Sequence, residues 1–475
     1  MSSKLPVVAV MGTTGAGKTK LSVDIAKAFD GEVINADAMQ VYRGLDIITN
    51  KATKQEMQGI PHHLMDIKDP GEQMHVTEWV TMAMRTIDDI HSRKKLPIIV
   101  GGTSYWLQNL LFTNRLVTNK TPNSVTVDEN LQSSLNRLDS TQRNLYARLP
   151  DPPPLASVDP EGTLELWKLL EALDPDMASR WHWKDSRKVL RSLQIIAEHG
   201  RMASDVIRDQ DDNSPDSRYQ TLVFWPYTQK EILDERLDRR VDDMVKSGLL
   251  DEIRTLHQIA GPSVDHTSGI YQSIGFKEFE EYLRNPSVET FRDGVEAMKR
   301  ATRKYAVYQT KWTRRKFIPL ASSCPDTWTY ILDTSNPSEW EPIKTQGVDI
   351  TSSFLMGSSL PSPSSLSPLA GELLLDTIKI LSPSEVISAQ KRVPCDVCTQ
   401  DARDPFLVMA SEWVEHTKSR NHQRKIENKK KRERNMERLR LKLEKERIQN
   451  SQVSISRISN DRAGNLLGAS IGIPG

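Results

Sequence analysis

Cysteine is scarce in this chain, which has three among its 475 residues. Three cysteines cannot build a disulfide framework, so a reducing compartment is favoured. No run of about 18 apolar residues occurs, and the sequence therefore predicts no membrane span. A secretory signal and an Arg- and Ser-rich transit peptide are also missing, and we expect a cytoplasmic protein.

Charge is nearly balanced at a net +1, but it is unevenly distributed along the chain. Residues 418–450 carry 14 Lys or Arg against five Glu, which leaves the remainder of the chain at −8. A basic tail on an acidic body favours a polyanionic partner, although a solvated helix with internal ion pairs fits the same composition. The basic cluster 429–432 fits either nuclear entry or a grip on RNA, and an alternative start would add a mitochondrial pool.

A complete phosphate loop, G-x-x-x-x-G-K-T, follows an apolar run at residues 6–10. Backbone N–H groups of such a loop point at a polyphosphate, and the next helix adds its positive dipole end. Lys18 is expected to pair with a phosphate oxygen and the Thr19 hydroxyl to ligate Mg²⁺. ATP is the usual ligand, but another diphosphate ester fits the same cradle. The predicted phosphate-binding residues are Gly12, Thr13, Thr14, Gly15, Ala16, Gly17, Lys18 and Thr19.

Strand and helix alternate in the first 115 residues, with strands predicted at 6–11, 32–36 and 96–100. This rhythm predicts an α/β fold, a P-loop NTPase-like parallel sheet flanked by helices. Ligands bind such sheets beyond the carboxyl ends of the strands. Because Asp37 and Thr103 each follow a strand, as the loop does, we expect all three to meet in one crevice.

Changes in composition divide the chain into five parts. The predicted organisation is a core of residues 1–115 and 186–345, a helical insertion at 116–185, a Ser- and Pro-rich linker at 346–390, a zinc finger at 391–425, and a basic helical and disordered tail at 426–475. Within the core, residues 290–315 are predicted to form a helix with Tyr305 and Tyr308 facing inward.

Two cysteines and two histidines lie within a stretch of 28 residues near the carboxyl end: Cys395, Cys398, His416 and His422. Two thiolates and two imidazoles form the closed tetrahedral set that Zn²⁺ prefers in structural sites. Five residues separate the histidines, which suits a helix that opens at its end. We therefore predict a small C2H2 zinc finger, although buried thiols beside surface histidines would give the same pattern.

Several segments in a fixed order resemble the tRNA dimethylallyltransferase (tRNA isopentenyltransferase) family. They are the phosphate loop, residues 35–51, 61–66, 100–106, 186–191, 234–241 and 272–278. The resemblance covers roughly residues 5–320. Segment 413–422 resembles a matrin or U1-type finger, which is typical of the eukaryotic branch. The family's usual Asp-Ser pair reads Asp37-Ala38 in this chain.

The resemblance implies transfer of a dimethylallyl group from dimethylallyl diphosphate, with Mg²⁺, to N6 of adenosine 37 beside the anticodon of a tRNA. By family analogy, Asp37 takes the proton of the amine, Thr103 lies at the same site, and Arg236 stabilises the departing diphosphate. Residues expected to contact the tRNA are Asp37, Ala38, Met39, Gln40, Arg187, Lys188, Arg191 and Lys277. The resemblance also implies that the helical insertion contacts the tRNA, and a monomer is expected.

Other interpretations remain open from the sequence alone. The same residue types fit purely structural roles, with Asp37 capping a helix, Thr103 ending a strand, and Arg236 pairing with an acid of its own helix. A small-molecule kinase that uses ATP is the alternative function. An RNA-binding adaptor with an inactive core is disfavoured by the intact Lys18 and Thr19.

Overall fold

The computed structural model of the chain describes residues 4–113, 126–209, 216–261, 268–375, 391–399 and 405–442. These residues belong to two compact units. Unit 1 comprises Met1–Lys120 and Val206–Ser382, and unit 2 comprises Thr121–Asp205 and Pro383–Gly475. Across the described ranges, no helix combines the length and the apolar character needed to cross a membrane.

Six parallel strands form the sheet of unit 1, in the spatial order β3-β2-β4-β1-β5-β6. The strands are β1 (Pro6–Met11), β2 (Gly31–Asn35), β3 (His62–His63), β4 (Leu96–Gly101), β5 (Gln220–Tyr227) and β6 (Thr327–Asp333). Strands β1, β2 and β4 are buried along their whole length or nearly so, as expected where helices cover both faces. The predicted parallel α/β fold is confirmed.

Helices cover the sheet and build most of unit 2. They are α1 (Lys18–Ala28), α2 (Lys54–Met57), α3 (Val76–Ser92), α4 (Ser104–Leu111), α5 (Glu129–Arg137), α6 (Ser140–Ala147), α7 (Pro160–Leu173), α8 (Pro175–Ala178), α9 (Ser186–His199), α10 (Ala203–Asp209), α11 (Lys230–Lys246), α12 (Leu249–Ala260), α13 (Glu280–Arg284), α14 (Val288–Trp312), α15 (Ile318–Ser322), α16 (Trp340–Leu355), α17 (Pro368–Leu375), α18 (Trp413–Lys418) and α19 (420–442). A π-helical turn, Thr313–Phe317, joins α14 to α15.

Alternation along the strands divides the core of unit 1 into two layers. On one face of β1, Ala9 belongs to a cluster with Trp79 of α3. On the other face, Val10 belongs to a cluster with Ile25 of α1 and Phe354 of α16. The sheet is thereby held between helices on both sides, which fixes the ends of its strands.

The predicted linker is wrong at its beginning, because α16 and α17 occupy part of it. Ile350 and Phe354 of α16 are buried, and a Cβ placed on Gly347 would lie 3.0 Å from the Leu21 side chain. These positions share one helical face, so the Ser-rich composition conceals an amphipathic helix that packs on α1. Residues 376–390 of the predicted linker lie outside the described residues.

The predicted return to the core at residue 186 also differs from the structure. Helix α9 belongs to unit 2, where the Trp181 indole nitrogen donates a hydrogen bond to the Ser192 hydroxyl at 3.1 Å. The buried stripe of α9 packs against α7 within the helical unit. Residues 114–125, which include the end of the predicted core segment and the start of the insertion, and residues 443–475 of the tail lie outside the described part of the chain.

The finger consists of a two-stranded antiparallel sheet followed by helices. Strand β7 (Arg392–Pro394) pairs with β8 (Leu407–Met409), and α18 and α19 follow. Within unit 2, the Arg392 N–H donates to Ser179 O at 2.9 Å, and its side-chain Nε donates to Arg180 O at 3.2 Å. The finger is therefore hydrogen bonded to the turn that follows α8.

Tyr305 and Tyr308 are less buried on α14 than predicted, although burial still acts on the Tyr305 hydroxyl and raises its pKa. The two residues are 39% and 60% exposed, whereas Met298, Ala306 and Gln309 are buried. The small Ala306 and the flexible Met298 allow α14 to pack closely on its neighbours, while the two tyrosine rings stay partly exposed to solvent. The buried stripe therefore includes an uncharged polar residue, Gln309.

A buried carboxylate ties three segments of the sheet edge together. The Glu32 side chain on β2 is 4% exposed and lies 2.8 Å from His63 Nε2 on β3. Arg93 Nη2 donates to it at 2.8 Å, and Lys95 Nζ lies 3.2 Å away, both from the connection into β4. Mainly because of the Arg93 hydrogen bonds, the pKa of Glu32 is lowered to about 2.

We predict that Glu32→Gln lowers the free energy of unfolding by roughly 2–3 kcal/mol at pH 7. A lowered carboxyl pKa stabilises the fold above the unfolded pKa, and this contribution is lost as the pH falls through about 2. Thermal unfolding at pH 7 and pH 3.5 should therefore show a smaller difference from wild type at the lower pH. Glu341→Gln, which removes a surface pair with Lys344, is the control and should cost less than about 0.5 kcal/mol. Equal costs for the two variants would contradict the assignment.

Candidate functional site

The phosphate loop joins β1 to α1 at the carboxyl edge of the sheet. Gly12 and Gly17 adopt φ angles of 136° and 89°, which favour glycine. A Cβ on Gly17 would also lie 2.9 Å from the Trp340 ring. Gly17 is the N-cap of α1 and has no side chain to cap it, so the first N–H groups of the helix face the loop. This is the arrangement that binds an anion.

Lys18 points back across the loop, where its ammonium donates to Thr13 O at 2.8 Å. Burial lowers the pKa of Lys18 to about 8, the negative charge of Asp37 opposes that shift, and the positive charge of Arg240 adds to it. A diphosphate placed in the loop would supply the negative charge that this ammonium lacks. Lys18 is thus held ready for an anion.

Thr19 follows at the first turn of α1, half-buried. It lines a cavity of ≈20 Å³ together with Asn35 and Gln40, room for about one water molecule. Hydroxyl and amide oxygens are the hard donors that Mg²⁺ accepts beside substrate phosphates. The residues present therefore fit a loop-bound Mg²⁺ held through Thr19.

Asp37 lies immediately past β2, and its neighbours fix its orientation. The Asp37 N–H donates to Asn35 Oδ1 at 3.0 Å, and the Met39 N–H donates to Asp37 Oδ1 at 2.9 Å. Asn35 is itself held by Leu64 O at 3.1 Å. Burial raises the pKa of Asp37, while the Met39 N–H and the Lys18 charge oppose that shift. No helix follows Asp37, so the capping alternative does not apply.

Thr103 lies past β4 and meets the segment after Asp37. Its hydroxyl accepts a hydrogen bond from the Ala38 N–H at 3.0 Å, and its own N–H donates to Ala36 O at 3.3 Å. Thr103 is the N-cap of α4, yet its side chain makes no capping bond. The hydroxyl is therefore directed at the segment that follows Asp37, and its role in catalysis stays a prediction.

Arg236 and Arg240 both project from α11, one turn apart. Arg236 donates to Ser335 O at 2.8 Å and to the Thr228 hydroxyl at 3.3 Å, which places it past the ends of β5 and β6. Its pairing with an acid of its own helix is not observed: Asp234 pairs with Lys230, and Asp238 with Arg303.

Arg240, which the sequence analysis did not single out, contacts the loop directly. It donates to the Thr14 hydroxyl at 3.1 Å, and burial lowers its pKa. A basic residue four positions after Arg236 lies on the same helical face, and this spacing is the signal that could have identified it. Asn35 and Gln309 were also missed, because an uncharged amide gives no such signal.

The segment from Ala38 to Gln40 leads into a loop that a buried ammonium holds together. Gln40 Nε2 donates to Asn50 O at 3.0 Å. Lys51, with a side chain 4% exposed, donates to Tyr42 O at 2.7 Å and to Gly44 O at 2.6 Å. Gln40 is therefore presented by a loop of fixed shape.

The remaining predicted tRNA contacts are distributed over both units. Lys277 is exposed in the segment before α13. Arg187, Lys188 and Arg191 lie on α9 of unit 2, where Lys188 approaches the Trp181 ring at 5.1 Å. Arg191 pairs with Glu198 at 3.0 Å.

Four ligand atoms converge in the finger. The donors of Cys395, Cys398, His416 and His422 lie within 4.8 Å of one another, the one such group found in the described residues. Both sulfurs lie 3.5 Å from His422 Nδ1, and Cys398 Sγ lies 3.6 Å from His416 Nε2. Ordinary Zn–S and Zn–N bond lengths in a tetrahedron place sulfur about 3.5 Å from nitrogen. The geometry suits a bound metal ion.

A break at Ser419 brings the two histidines together. Residues six apart in a continuous helix lie on different faces, but Ser419 is extended, with φ −64° and ψ 144°, between α18 and α19. The chain therefore turns between His416 and His422, and their nitrogens lie 3.0 Å apart. This agrees with the expected opening of the helix.

Comparison with known proteins gives consistent results. The tRNA dimethylallyltransferase of Schizosaccharomyces pombe is 36% identical over 438 residues, 90% of this chain and 96% of the relative. The human protein of the same name is 32% identical over 440 residues, 88% of this chain and 85% of the relative. A solved structure of a eukaryotic dimethylallyltransferase acting on tRNA matches with a TM-score of 0.73 at 32% identity, covering 92% of this chain and all of that one.

The sequence profile of the family described as IPP transferase matches residues 40–316. That stretch begins at Gln40, spans Thr103, Arg236 and Arg240, and ends in the turn after α14. The matched relatives extend over nearly the whole chain. The chain belongs to the IPP transferase family.

Proposed function

We propose that this chain transfers a dimethylallyl group from dimethylallyl diphosphate to N6 of adenosine 37 in the anticodon loop of tRNAs. The observation that carries the proposal is the meeting of the phosphate loop with Asp37 and Thr103 at one sheet edge, in a chain whose relatives are named tRNA dimethylallyltransferase over nearly their full length. In the reaction, the C1–O bond of the donor breaks, the N6–C1 bond forms, and diphosphate leaves.

The donor side supplies positive charge to the leaving group. The loop N–H groups and Lys18 bind the diphosphate, and Arg240 and Arg236 face it from α11. Mg²⁺, held by Thr19, would neutralise further charge on the diphosphate when bound. An allylic carbon ionises readily once its leaving group is stabilised, so preorganised charge provides most of the catalysis.

On the acceptor side, Asp37 takes the proton of the amine. Its carboxylate is already aimed by Asn35 and the Met39 N–H, so little reorganisation is needed at the moment of transfer. The Thr103 hydroxyl holds the same segment and contacts the amine. Gln40 contacts the flipped base or its neighbour, and removing a base from a single-stranded loop costs little.

Several further assignments are part of the proposal. Arg187, Lys188, Arg191 and Lys277 contact the tRNA backbone, and the helical insertion and the basic α19 extend that surface. The enzyme acts as a monomer in the cytoplasm, with additional nuclear or mitochondrial pools. The Cys395, Cys398, His416 and His422 cluster binds a structural Zn²⁺, which holds the finger against the helical unit.

A small-molecule kinase was the alternative, and no comparison supports it. A kinase would need a second acidic Mg²⁺ site beside the loop, and Asp37 would have to fill it. The Asp37 carboxylate is instead engaged by the Met39 N–H and lies beside Thr103. That arrangement suits a proton acceptor.

We predict that the purified protein, incubated with tRNA and dimethylallyl diphosphate, yields a nucleoside heavier by one five-carbon unit without ATP. Asp37→Asn keeps the side-chain shape and the Met39 contact but cannot take a proton, so kcat should fall at least about 100-fold. Binding of Mg-diphosphate should change little. Mass spectrometry of digested tRNA and calorimetry provide these readouts.

Asp251→Asn, on the exposed face of α12, is the matched control and should transfer normally. Unchanged turnover in Asp37→Asn would remove Asp37 from its role. Transfer of the ATP γ-phosphate to a metabolite, with no change in tRNA, would replace the proposed function with a kinase.

We predict a bell-shaped pH dependence of kcat/KM for the donor. Asp37 must be ionised, so activity falls as the pH drops through its raised pKa. Lys18 must be protonated, so activity also falls as the pH rises through about 8. In Lys18→Arg the guanidinium stays charged, and the alkaline limb should move to higher pH although the overall rate is lower. An alkaline limb that stays near pH 8 in this variant would exclude Lys18 as its cause.

We predict that Cys395→Ser releases zinc and weakens tRNA affinity by roughly 3- to 10-fold, because the finger no longer holds the basic helix in place. kcat should stay within about twofold of wild type, since the finger contributes no group to the reaction. Elemental analysis and tRNA binding at two salt concentrations test this. Cys324→Ser, a buried cysteine of unit 1, is the control and should retain zinc. Full tRNA affinity in zinc-free wild-type protein would contradict the prediction.

A further inference from the structure

One buried amide on α14 touches both sides of the crevice. Gln309 is 4% exposed. Its Oε1 accepts a hydrogen bond from the Thr14 N–H of the phosphate loop at 3.1 Å, and its Nε2 donates to Gly102 O, past the end of β4, at 3.0 Å. A single side chain thereby joins the ends of β1 and β4.

The surroundings of Gln309 explain why this buried position of α14 is occupied by an amide side chain. Its neighbours on the buried face of α14, Met298 and Ala306, are apolar. A buried polar group among them destabilises the fold unless its donors and acceptors are paired. Gln309 pairs both ends, and in doing so satisfies a loop N–H and a carbonyl that an apolar side chain would leave without partners.

Gln309 packs very closely against Gly102, just past the end of β4. A Cβ on Gly102 would lie 2.5 Å from Gln309 Nε2 and 3.5 Å from Asp37 Oδ2. One turn further along, the Thr313 hydroxyl lies 3.4 Å from that of Ser104 at the start of α4. The last turn of α14 is therefore docked on the segment that carries Thr103.

Tyr305 lies one turn before Gln309 on α14. Its hydroxyl interacts with Gln309 and with Asp37 on the acceptor side. Burial of its hydroxyl, together with the charge of Asp37, raises the pKa of Tyr305, and a hydrogen bond with Gln309 opposes that shift. On the donor side, Thr14 accepts a bond from Arg240 at 3.1 Å. Gln309 therefore lies between Tyr305, whose hydroxyl is near Asp37, and the Thr14–Arg240 contact, which is near Lys18.

We propose that Gln309 is a positioning residue that fixes the phosphate loop relative to the Asp37–Thr103 side of the crevice, so that donor and acceptor meet at the reacting distance. This rests on the proposed function, because the two sides are the diphosphate site and the amine site. Gln309 contacts no reacting atom. Its effect is on geometry, where displacements of about 1 Å can cost 100-fold in rate.

Two substitutions test the proposal. Gln309→Leu removes both bonds, and we expect Mg-diphosphate affinity to fall about 3- to 10-fold and kcat a further 10- to 100-fold. Gln309→Glu keeps an acceptor for Thr14, but when ionised it has no proton to donate to Gly102 O. A buried carboxyl has a raised pKa and donates once protonated, so the kcat of Gln309→Glu relative to wild type should recover as the pH falls from 8 to 6.

Thr310→Val is the matched control on the same helix, because among the described residues its hydroxyl bonds only to Ala306 O, within α14. It should bind diphosphate and turn over like wild type. Thermal unfolding and diphosphate-binding stoichiometry would identify a variant that is merely less folded. A general loss of folding lowers the active fraction, but it does not produce the pH-dependent recovery expected of the glutamate variant.

The outcomes separate this proposal from the proposed function. Wild-type affinity and kcat in Gln309→Leu, or a loss in Gln309→Glu that does not change with pH relative to wild type, would overturn the positioning role while prenyl transfer stands. If wild-type protein does not prenylate tRNA, the proposed function fails. Calorimetry with Mg-diphosphate alone would still decide whether Gln309 holds the loop.

Discussion

The parallel pairing of β2 with β4 is the constraint on which the site depends. Gly101 ends β4 so close to β2 that a Cβ would lie 2.1 Å from Ala36 O. No other residue permits this approach, which lets Thr103 reach across to the Ala38 N–H. Along the chain, Asp37 lies between the two residues that make these contacts, Ala36 and Ala38. A wider spacing would separate the acid from the hydroxyl and leave two unrelated strand ends.

The charges at this edge are arranged around an anion that the protein itself does not supply. Lys18 and Arg240 repel each other, and both are partly removed from water. Asp37 compensates only in part, since burial disfavours its own charge. Such a cluster is less stable alone than with a ligand of two or more negative charges. Binding energy from that ligand is then available to orient the rest of the site.

Much of this arrangement could be predicted from the sequence, and the exceptions share a cause. The loop, Asp37 and Thr103 follow strands, and parallel strands necessarily bring their carboxyl ends together. Gln309 could not be predicted, because its partners are backbone groups almost 300 and just over 200 positions away. Only the tertiary fold makes them neighbours.

The errors in the helices have related origins. On α14, the aromatic residues suggested the buried stripe, but the space beside α11 admits only a small Ala306 next to Leu233 and Leu237. For α16, the Ser-rich composition led to the prediction of a linker, although the spacing of Ile350 and Phe354 fits one face of a helix. The family resemblance assigned Arg236 to the leaving diphosphate. The structure shows that Arg240 is the arginine of α11 that contacts the phosphate loop directly.

The hydrogen bonds from Arg392 to Ser179 and Arg180 bear on how the finger could be lost or exchanged in evolution. Deleting the finger would remove the two donors that Arg392 supplies to these carbonyl groups on the turn after α8. Loss of the finger would therefore also change the hydrogen bonding of the helical unit, to which it is joined by more than the continuity of the chain.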